Sequence, residues 1–410
     1  MNSRLRPSIS LPVPAVSLVL FLAGCCGGVH AQIKTMTAPS PLNPEGISRA
    51  IHILEDPASL SADRAQAVGD LINTGPAAVR AAPALVNALN DPDQDLRANA
   101  AYAFGRIGPS AIPTLVMALR NKNPAIRLGA ATSLVWIKSG TGPAVSALAA
   151  ALEDPDLAVR SKAAEALAGF GAAASPAAPA LAAALRKPPL SSQSRAALAL
   201  GSIGLPGLPA LRAALNDPDP NIRSSAIFGL GILGAPAAPA VPALIAALHD
   251  GDYEIRSGAA VSLGNIGAPA ASAVPALLAV LQDKRSDNRM MAALGLGEIG
   301  PAAASAVPAL QAALADPLPG VRADAADALG GIGAPAVPAV PALIAALHDP
   351  DRDVRRLSAF ALGELGALAP AAVPALTAAL EDPVRDVRGT AEAALRMIKA
   401  MSAPPPTAPK

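Results

Sequence analysis

The chain has 410 residues with 32 Lys and Arg against 31 Asp and Glu, a formal net charge of +1, so it lacks the basic footprint of a nucleic-acid-binding protein. Aromatic residues make up only 2% of it, so any core must be built from Ala, Leu and Val. Four His and two adjacent Cys leave little material for metal or nucleophile chemistry.

Arg4 and Arg6 precede the apolar run LPVPAVSLVLFLAG. A charged start, a short apolar stretch and small residues at its end are the pattern of a secretory signal. Pro12 and Pro14 interrupt the run, which is too short for a comfortable membrane span. Two cleavage sites compete. LAGC at 22–25 resembles a bacterial lipobox and would leave Cys25 as the lipidated first residue; VHA at 29–31 suits ordinary signal peptidase. The reading is therefore a signal peptide over 1–24 (or 1–31), a flexible tether over 25–46, a folded region over 47–400 and a Pro-rich tail over 401–410. Both Cys25 and Cys26 lie in the leader region, so the folded region has neither disulfide nor thiol. An exported protein, periplasmic or lipid-anchored in a bacterial envelope, is expected.

From residue 47 onward the chain repeats itself. VPALIAALHD stands at 241–250 and again at 340–349, and an Arg follows each copy at a fixed distance, Arg256 and Arg355. The same position recurs at Arg64, Arg97, Arg127, Arg160, Arg223, Arg289, Arg322 and Arg388, with Gln193 in the remaining copy. Most steps are 33 residues, so the repeated phrase marks a structural unit rather than a duplicated active site.

One unit, 349–383, shows what each encodes. Asp349 is placed as an N-cap and Pro350 in the first helical turn. Val354, Ser358, Ala359, Leu362 and Leu365 follow at helical spacing, and Gly366 closes the helix. After a short Ala/Pro loop, Pro374 opens a second helix with Leu376 and Leu380 on its buried stripe. Such a helix pair cannot bury its apolar stripe alone, so neighbours must stack. Gly recurs eight residues after the Arg, at Gly105, Gly201, Gly231, Gly264, Gly297, Gly330 and Gly363. Gly inside a helix costs about 1 kcal/mol against Ala, so its recurrence predicts a close backbone neighbour. The array opens with a half unit, ISRAIHILEDP at 47–57, and closes with another, where Glu392, Arg396 and Lys399 replace packing residues as a cap requires.

Tandem DPDxxVRxxAAxALGxIG…VPALxxAL units resemble HEAT repeats of the type noted in phycobilisome lyases. The resemblance covers about 50–400 and implies an all-α, right-handed solenoid of about ten helix pairs with half-unit caps. It also implies a polar ladder between repeats, formed by the Asp before the Pro and the Arg six residues later. Here the pairs are Asp91/Arg97, Asp154/Arg160, Asp217/Arg223, Asp250/Arg256, Asp283/Arg289, Asp316/Arg322, Asp349/Arg355 and Asp382/Arg388. One unit loses both members together, with Lys187 and Gln193, as expected of interacting groups.

Catalytic and metal sites are not expected, nor is a cofactor. His249 and His348 hold the same repeat position three units apart, roughly 25–30 Å at 8–10 Å per stacked helix, too far to share a metal ion. The iron-binding branch of the family uses His-Glu pairs, and no such dipeptide occurs. The Asp-rich turns lack the Gly and the acid that a calcium loop needs at its sixth and twelfth positions, held by Val354 and Phe360 counting from Asp349. A lyase- or oxidoreductase-type activity is thus the alternative that resemblance alone suggests.

The reading that remains is a monomeric scaffold binding a protein or peptide segment. The column closing each second helix varies while its neighbours do not: Asn90, Arg120, Arg186, Asn216, His249, Gln282 and His348 belong to it. Such variation fits either a recognition surface or plain solvent exposure. Ala246 and Ala345 lie in the almost uncharged groove expected of the second helices, which line the concave face in HEAT-like solenoids. The unit at 121–153 departs most, with Asn121 for Asp, Val135 for Gly and Lys138 for the closing Gly. It also holds Trp136, which is either a binding anchor or a cover for irregular packing.

Overall fold

The computed structural model describes residues 41–402. The signal, Cys25 and most of the tether and tail lie outside the described residues. Among the described residues, twenty-two α-helices follow one another, long alternating with short. The long first helices are α2 (Ser61–Thr74), α4 (Gln94–Ile107), α6 (Pro124–Trp136), α8 (Leu157–Phe170), α10 (Leu190–Ser202), α12 (Pro220–Leu233), α14 (Tyr253–Ile266), α16 (Ser286–Ile299), α18 (Pro319–Ile332), α20 (Arg352–Leu365) and α22 (Arg385–Ser402). The second helices are α1 (Pro44–Glu55), α3 (Ala82–Ala88), α5 (Ile112–Ala118), α7 (Gly142–Ala151), α9 (Ala178–Ala184), α11 (Leu208–Ala214), α13 (Val241–Ala247), α15 (Val274–Val280), α17 (Val307–Ala313), α19 (Val340–Ala346) and α21 (Val373–Ala378). Ten complete pairs from α2 to α21 thus stand between a lone second helix and a lone first helix, an all-α solenoid with half units at both ends. The first helix begins at Pro44, three residues before the expected start, because Asn43 caps it with a 2.8 Å bond from Gly46 N–H.

The loops inside each unit are not irregular: most wind into 3₁₀ turns, such as Gly366–Leu368 and Pro370–Ala372. Pro placed at the start of such a turn gives up no needed N–H donor. At the end of α20, Gly366 takes φ +56°, a left-handed conformation that other residues avoid, and reverses the chain. In the departing unit Lys138 replaces this Gly, and the positive φ moves two residues on to Gly140 (φ +65°), while Lys138 Nζ caps Val135 O at 2.9 Å. The apolar stretches Leu157–Ala184 and Ser286–Ala313 are long enough to cross a membrane by composition. Each is divided by such a glycine, Gly171 or Gly300, into two helices of the array.

One buried cluster runs from Ile47 to Ile398. In α20 all five expected positions, Val354, Ser358, Ala359, Leu362 and Leu365, are buried, whereas Leu380 beyond α21 is only partly so. The recurring Gly positions are contact points between first helices. A Cβ on Gly297 would lie 2.6 Å from Ala328 Cα, and on Gly330 or Gly363 2.9 Å from Ala361 or Ala394 Cα. At Gly105 the space is taken by Trp136 instead, 2.5 Å from Cβ to Cβ. On the terminal helix α22, Glu392, Arg396 and Lys399 are exposed, and Arg396 pairs with Glu392 at 3.4 Å, so a polar face ends the stack.

Candidate functional site

The turns between units carry most of the polar structure, and two expectations about them need correction. Asp349 is not the N-cap. That role falls to Asp351, whose carboxylate accepts from Asp353 N–H (2.8 Å) and Val354 N–H (3.2 Å). Asp93, Asn123, Asp156, Asp219 and Asp252 cap their helices in the same way. The first helical N–H groups point along the axis, so the residue immediately before the helix serves them, two positions after the one expected. Asp349 instead folds the turn, accepting from Asp351 N–H at 2.8 Å.

The ladder also connects differently. Within the pairs named from the sequence, Arg and Asp meet through the backbone: Arg97, Arg160, Arg223, Arg256, Arg289, Arg322, Arg355 and Arg388 donate Nη1 to the carbonyl oxygens of Asp91, Asp154, Asp217, Asp250, Asp283, Asp316, Asp349 and Asp382 at 2.6–3.0 Å. The carboxylates belong to the Arg of the preceding unit. Arg64–Asp91, Arg127–Asp154, Arg223–Asp250, Arg289–Asp316, Arg322–Asp349 and Arg355–Asp382 are the ion pairs, each 27 residues apart. Five of the six are bidentate, the geometry in which Arg–carboxylate pairs are strongest.

These pairs set the charges. Burial pushes the Asp154, Asp250, Asp316 and Asp349 carboxyls up, but the paired guanidinium and the turn N–H outweigh it, so all four sit below the ordinary carboxylate range. For Asp382 the Arg355 hydrogen bond is itself the largest influence, and its carboxyl lies low as well. Asp324 in α18 behaves oppositely. Burial first, and the nearby charge of Asp327 second, push its carboxyl up to about 7, and its Oδ2 has no hydrogen-bond partner.

The ladder fails where its residues change. Asn121 and Lys187 hold the positions where the carboxylate stands in other units. Lys187 pairs with Glu153 instead, and Asp217 is approached by Arg186 at 3.7 Å. At Asp283 the residues are intact, yet Arg256 Nε is buried without a hydrogen-bond partner and acts on the carboxylate only through its charge, while the carboxylate accepts from Arg285 N–H at 2.8 Å.

The expected recognition residues are spread along the array. Asn90, Arg120, Arg186, Asn216, His249, Gln282 and His348 are exposed, one per unit, and Asn90 accepts from Asn123 Nδ2 of the next turn at 2.9 Å. Ala246 and Ala345 are exposed on α13 and α19. Trp136 is 38% exposed and stands edge-on to Tyr102, with ring centroids 5.5 Å apart and planes at 86°. It lies over Gly105, so it fills a gap between α4 and α6. The Pro that opens each second helix was legible as a helix start and not as a contact surface: Pro242, Pro275, Pro308 and Pro341 are exposed beside Ala246, Ala279, Ala312 and Ala345. Their 33-residue period is visible in the sequence and marks them as one column. Among the described residues no three His, Cys, Asp or Glu side chains gather as a metal-binding group.

The chain matches a family profile described as HEAT repeats over residues 82–168, 178–241, 241–318 and 307–396. No curated protein matches it. Solved structures with the same fold include the Kap95:Nup1 complex, with TM-score 0.64, 16% identity, and coverage of 88% of this chain and 57% of that one. Yeast importin-beta (Kap95p) gives TM-score 0.64, 15% identity and coverage of 86% and 57%. Kap121p bound to Pho4p gives TM-score 0.54, 13% identity and coverage of 86% and 45%. The chain thus spans about half the length of these structures.

Proposed function

As the chain belongs to the HEAT-repeat family, we propose that it is a non-catalytic scaffold at a bacterial cell envelope, binding a protein or peptide segment along its layer of short helices. The observation that carries this reading is the exposed Pro/Ala column. Pro242, Ala246 and His249 on and after α13 recur as Pro341, Ala345 and His348 around α19, all exposed. The intervening short helices expose Ala279, Ala312, Pro275 and Pro308 with no charged side chain between them. Such a surface offers many small apolar contacts and no deep pocket, which suits an extended or helical segment held over several units. Kap95 in complex with Nup1, and Kap121p bound to Pho4p, are solenoids of this fold with protein partners. The envelope location rests on the leader and the lipobox-like LAGC at 22–25. The phycobilisome-lyase subtype rests on the unit consensus alone.

The test is a pull-down from the native envelope with wild type and the double variant Ala246→Glu/Ala345→Glu. The variant is expected to keep its melting temperature, because both positions are exposed, and to lose the partner. Equal capture by both, with capture abolished by substitutions on the long helices, would move the binding face to the other layer.

A further inference from the structure

The solenoid has two unlike edges. Every turn between units carries charged side chains. The turns within units gather on the opposite edge, where successive ones touch, as Ala235–Ala240, Ala268–Ala273 and Gly300–Ala306 do. These inner turns contain no Asp or Glu, and their only charges are Arg80 and Lys138. The helix ends beside them bring Arg106 and Lys399 against Glu45, Asp70, Glu298 and Glu364, and Asp70 is bonded to Gln66 at 2.9 Å. Bulky apolar residues stand exposed here in two patches. Leu205, 62% exposed, follows α10, and Ile232 near the end of α12 packs over Gly201, four residues before it. Leu368 is 51% exposed, Val373 opens α21, and Met401, 59% exposed in the last turn of α22, lies over Gly366. Trp136, the only tryptophan, ends α6 on the same edge, two residues before Lys138. The exposed Leu60, Leu157, Leu190 and Leu318 lie on the other edge, among the charged turns.

The chain also enters the array at the inner-turn edge. α1 is a second helix and therefore starts there, and Leu42 N–H donates to Thr74 Oγ1, at the end of α2, at 3.0 Å. Cys25 precedes Leu42 by 17 residues, a reach of at most about 60 Å. A lipid on Cys25 would draw this edge, and not the charged one, toward the bilayer.

We propose that the edge of inner turns rests on a lipid bilayer. Leu205, Ile232, Leu368, Val373 and Met401 enter the boundary between headgroups and acyl chains, and Trp136 sits at headgroup level. Arg80 and Lys138 reach the lipid phosphates, and no carboxylate in these turns is pressed against them. The charged edge stays in water, and the layer of short helices stays open to a protein partner. The proposal rests on the envelope location for the nearness of a membrane.

The test uses the full chain floated with vesicles of phosphatidylethanolamine and phosphatidylglycerol, with and without brominated acyl chains. Because Trp136 is the only tryptophan, its emission reports whether the edge meets the bilayer, whatever the N-terminus does. Wild type is expected to be dimmed by bromine at least about twofold, since a Trp at headgroup level borders the acyl chains. Leu205→Glu/Leu368→Glu is expected to float through its N-terminus and keep its emission; Leu368→Glu/Met401→Glu serves if that variant does not fold. Leu318→Glu, on the charged edge, is expected to be dimmed as wild type. Wild type that does not float, or floats undimmed, overturns the proposal, as does equal dimming of wild type and the Leu205/Leu368 variant. An equal loss of dimming in Leu318→Glu overturns the choice of edge. Undimmed emission with a dimer in sedimentation gives the edge to a second copy instead. The envelope location fails on fractionation of Cys25→Ala and the scaffold reading on the α13 and α19 variants, so each fails separately.

Discussion

Arg355 holds Asp382 across 27 residues of chain, with Nε at 2.7 Å and Nη2 at 3.1 Å from the two carboxylate oxygens. Its Nη1 meanwhile binds the carbonyl oxygens of Asp349 and Pro350 at 2.9 and 3.1 Å. One guanidinium therefore joins two successive turns. Asp349 is itself held by Arg322 and Asp382 leads on to Arg388, so the turns of the C-terminal units form a continuous chain of charge-assisted bonds.

Arg322→Ala should cost about 1.5–3 kcal/mol, the usual value of hydrogen bonds to a charged group, and the loss should stay local because a solenoid is stabilised by nearest neighbours. Arg322→Lys should recover only part, since an ammonium cannot reproduce the bidentate grip. Urea unfolding of the three proteins measures both. Equal stability of Arg322→Ala and wild type would remove the ladder from the account of the fold.

Acid should weaken the array through the same residues. The folded-state carboxyls of Asp154, Asp250, Asp316, Asp349 and Asp382 lie below the ordinary range. Their contribution is therefore present above the unfolded-chain value near 4 and is lost as the pH falls through the lowered folded value. Asp382→Asn should flatten the acid limb of a plot of melting temperature against pH.

Asp324 should act with the opposite sign. Its carboxyl is raised to about 7 in the fold, so the folded chain keeps a proton that the unfolded chain releases near 4. Its contribution is greatest below pH 4, declines as the pH rises, and levels off above about 7. Asp324→Asn should be more stable than wild type at pH 8, by about 1–4 kcal/mol, and closer to it at pH 4. No difference between the two pH values would show that water reaches Oδ2.

Gly264→Leu should destabilise by about 1–3 kcal/mol through overpacking. A Cβ there already meets Gly295 Cα and Glu298 Cβ at 3.0 Å, so a branched side chain must push α16 away from α14. Calorimetry is the check, and an unchanged melting temperature would refute the close contact.

Cys25→Ala should release the protein from membranes or block its processing, as a lipobox requires. Fractionation and mass spectrometry of the mature N-terminus decide it. A variant processed and distributed as wild type would place cleavage after Ala31.

The sequence by itself determined the unit, the number of units, the helix boundaries to within a few residues, and the polar cap on α22. Each of these depends on local chemistry repeated along the chain: Pro at helix starts, Gly at helix ends, apolar residues at helical spacing. The Gly positions between first helices were legible for the same reason, because a recurring unfavourable residue signals a close neighbour. Only the tertiary structure decided who pairs with whom. Asp349 and Arg355 are six residues apart and do touch, but through a carbonyl oxygen, while the carboxylate turns to Arg322 on the adjacent unit. Spacing within one turn cannot distinguish these, because a 33-residue period places the next unit's residues at the same relative position as its own. Trp136 was equally undecided until its ring stood against Tyr102 and its Cβ over Gly105, contacts made only when α4 and α6 stack. Lys187 and Gln193 likewise read as a joint loss, and only the stacked turns show that Arg160 keeps its bonds to the Asp154 and Pro155 carbonyl oxygens while Lys187 turns to Glu153.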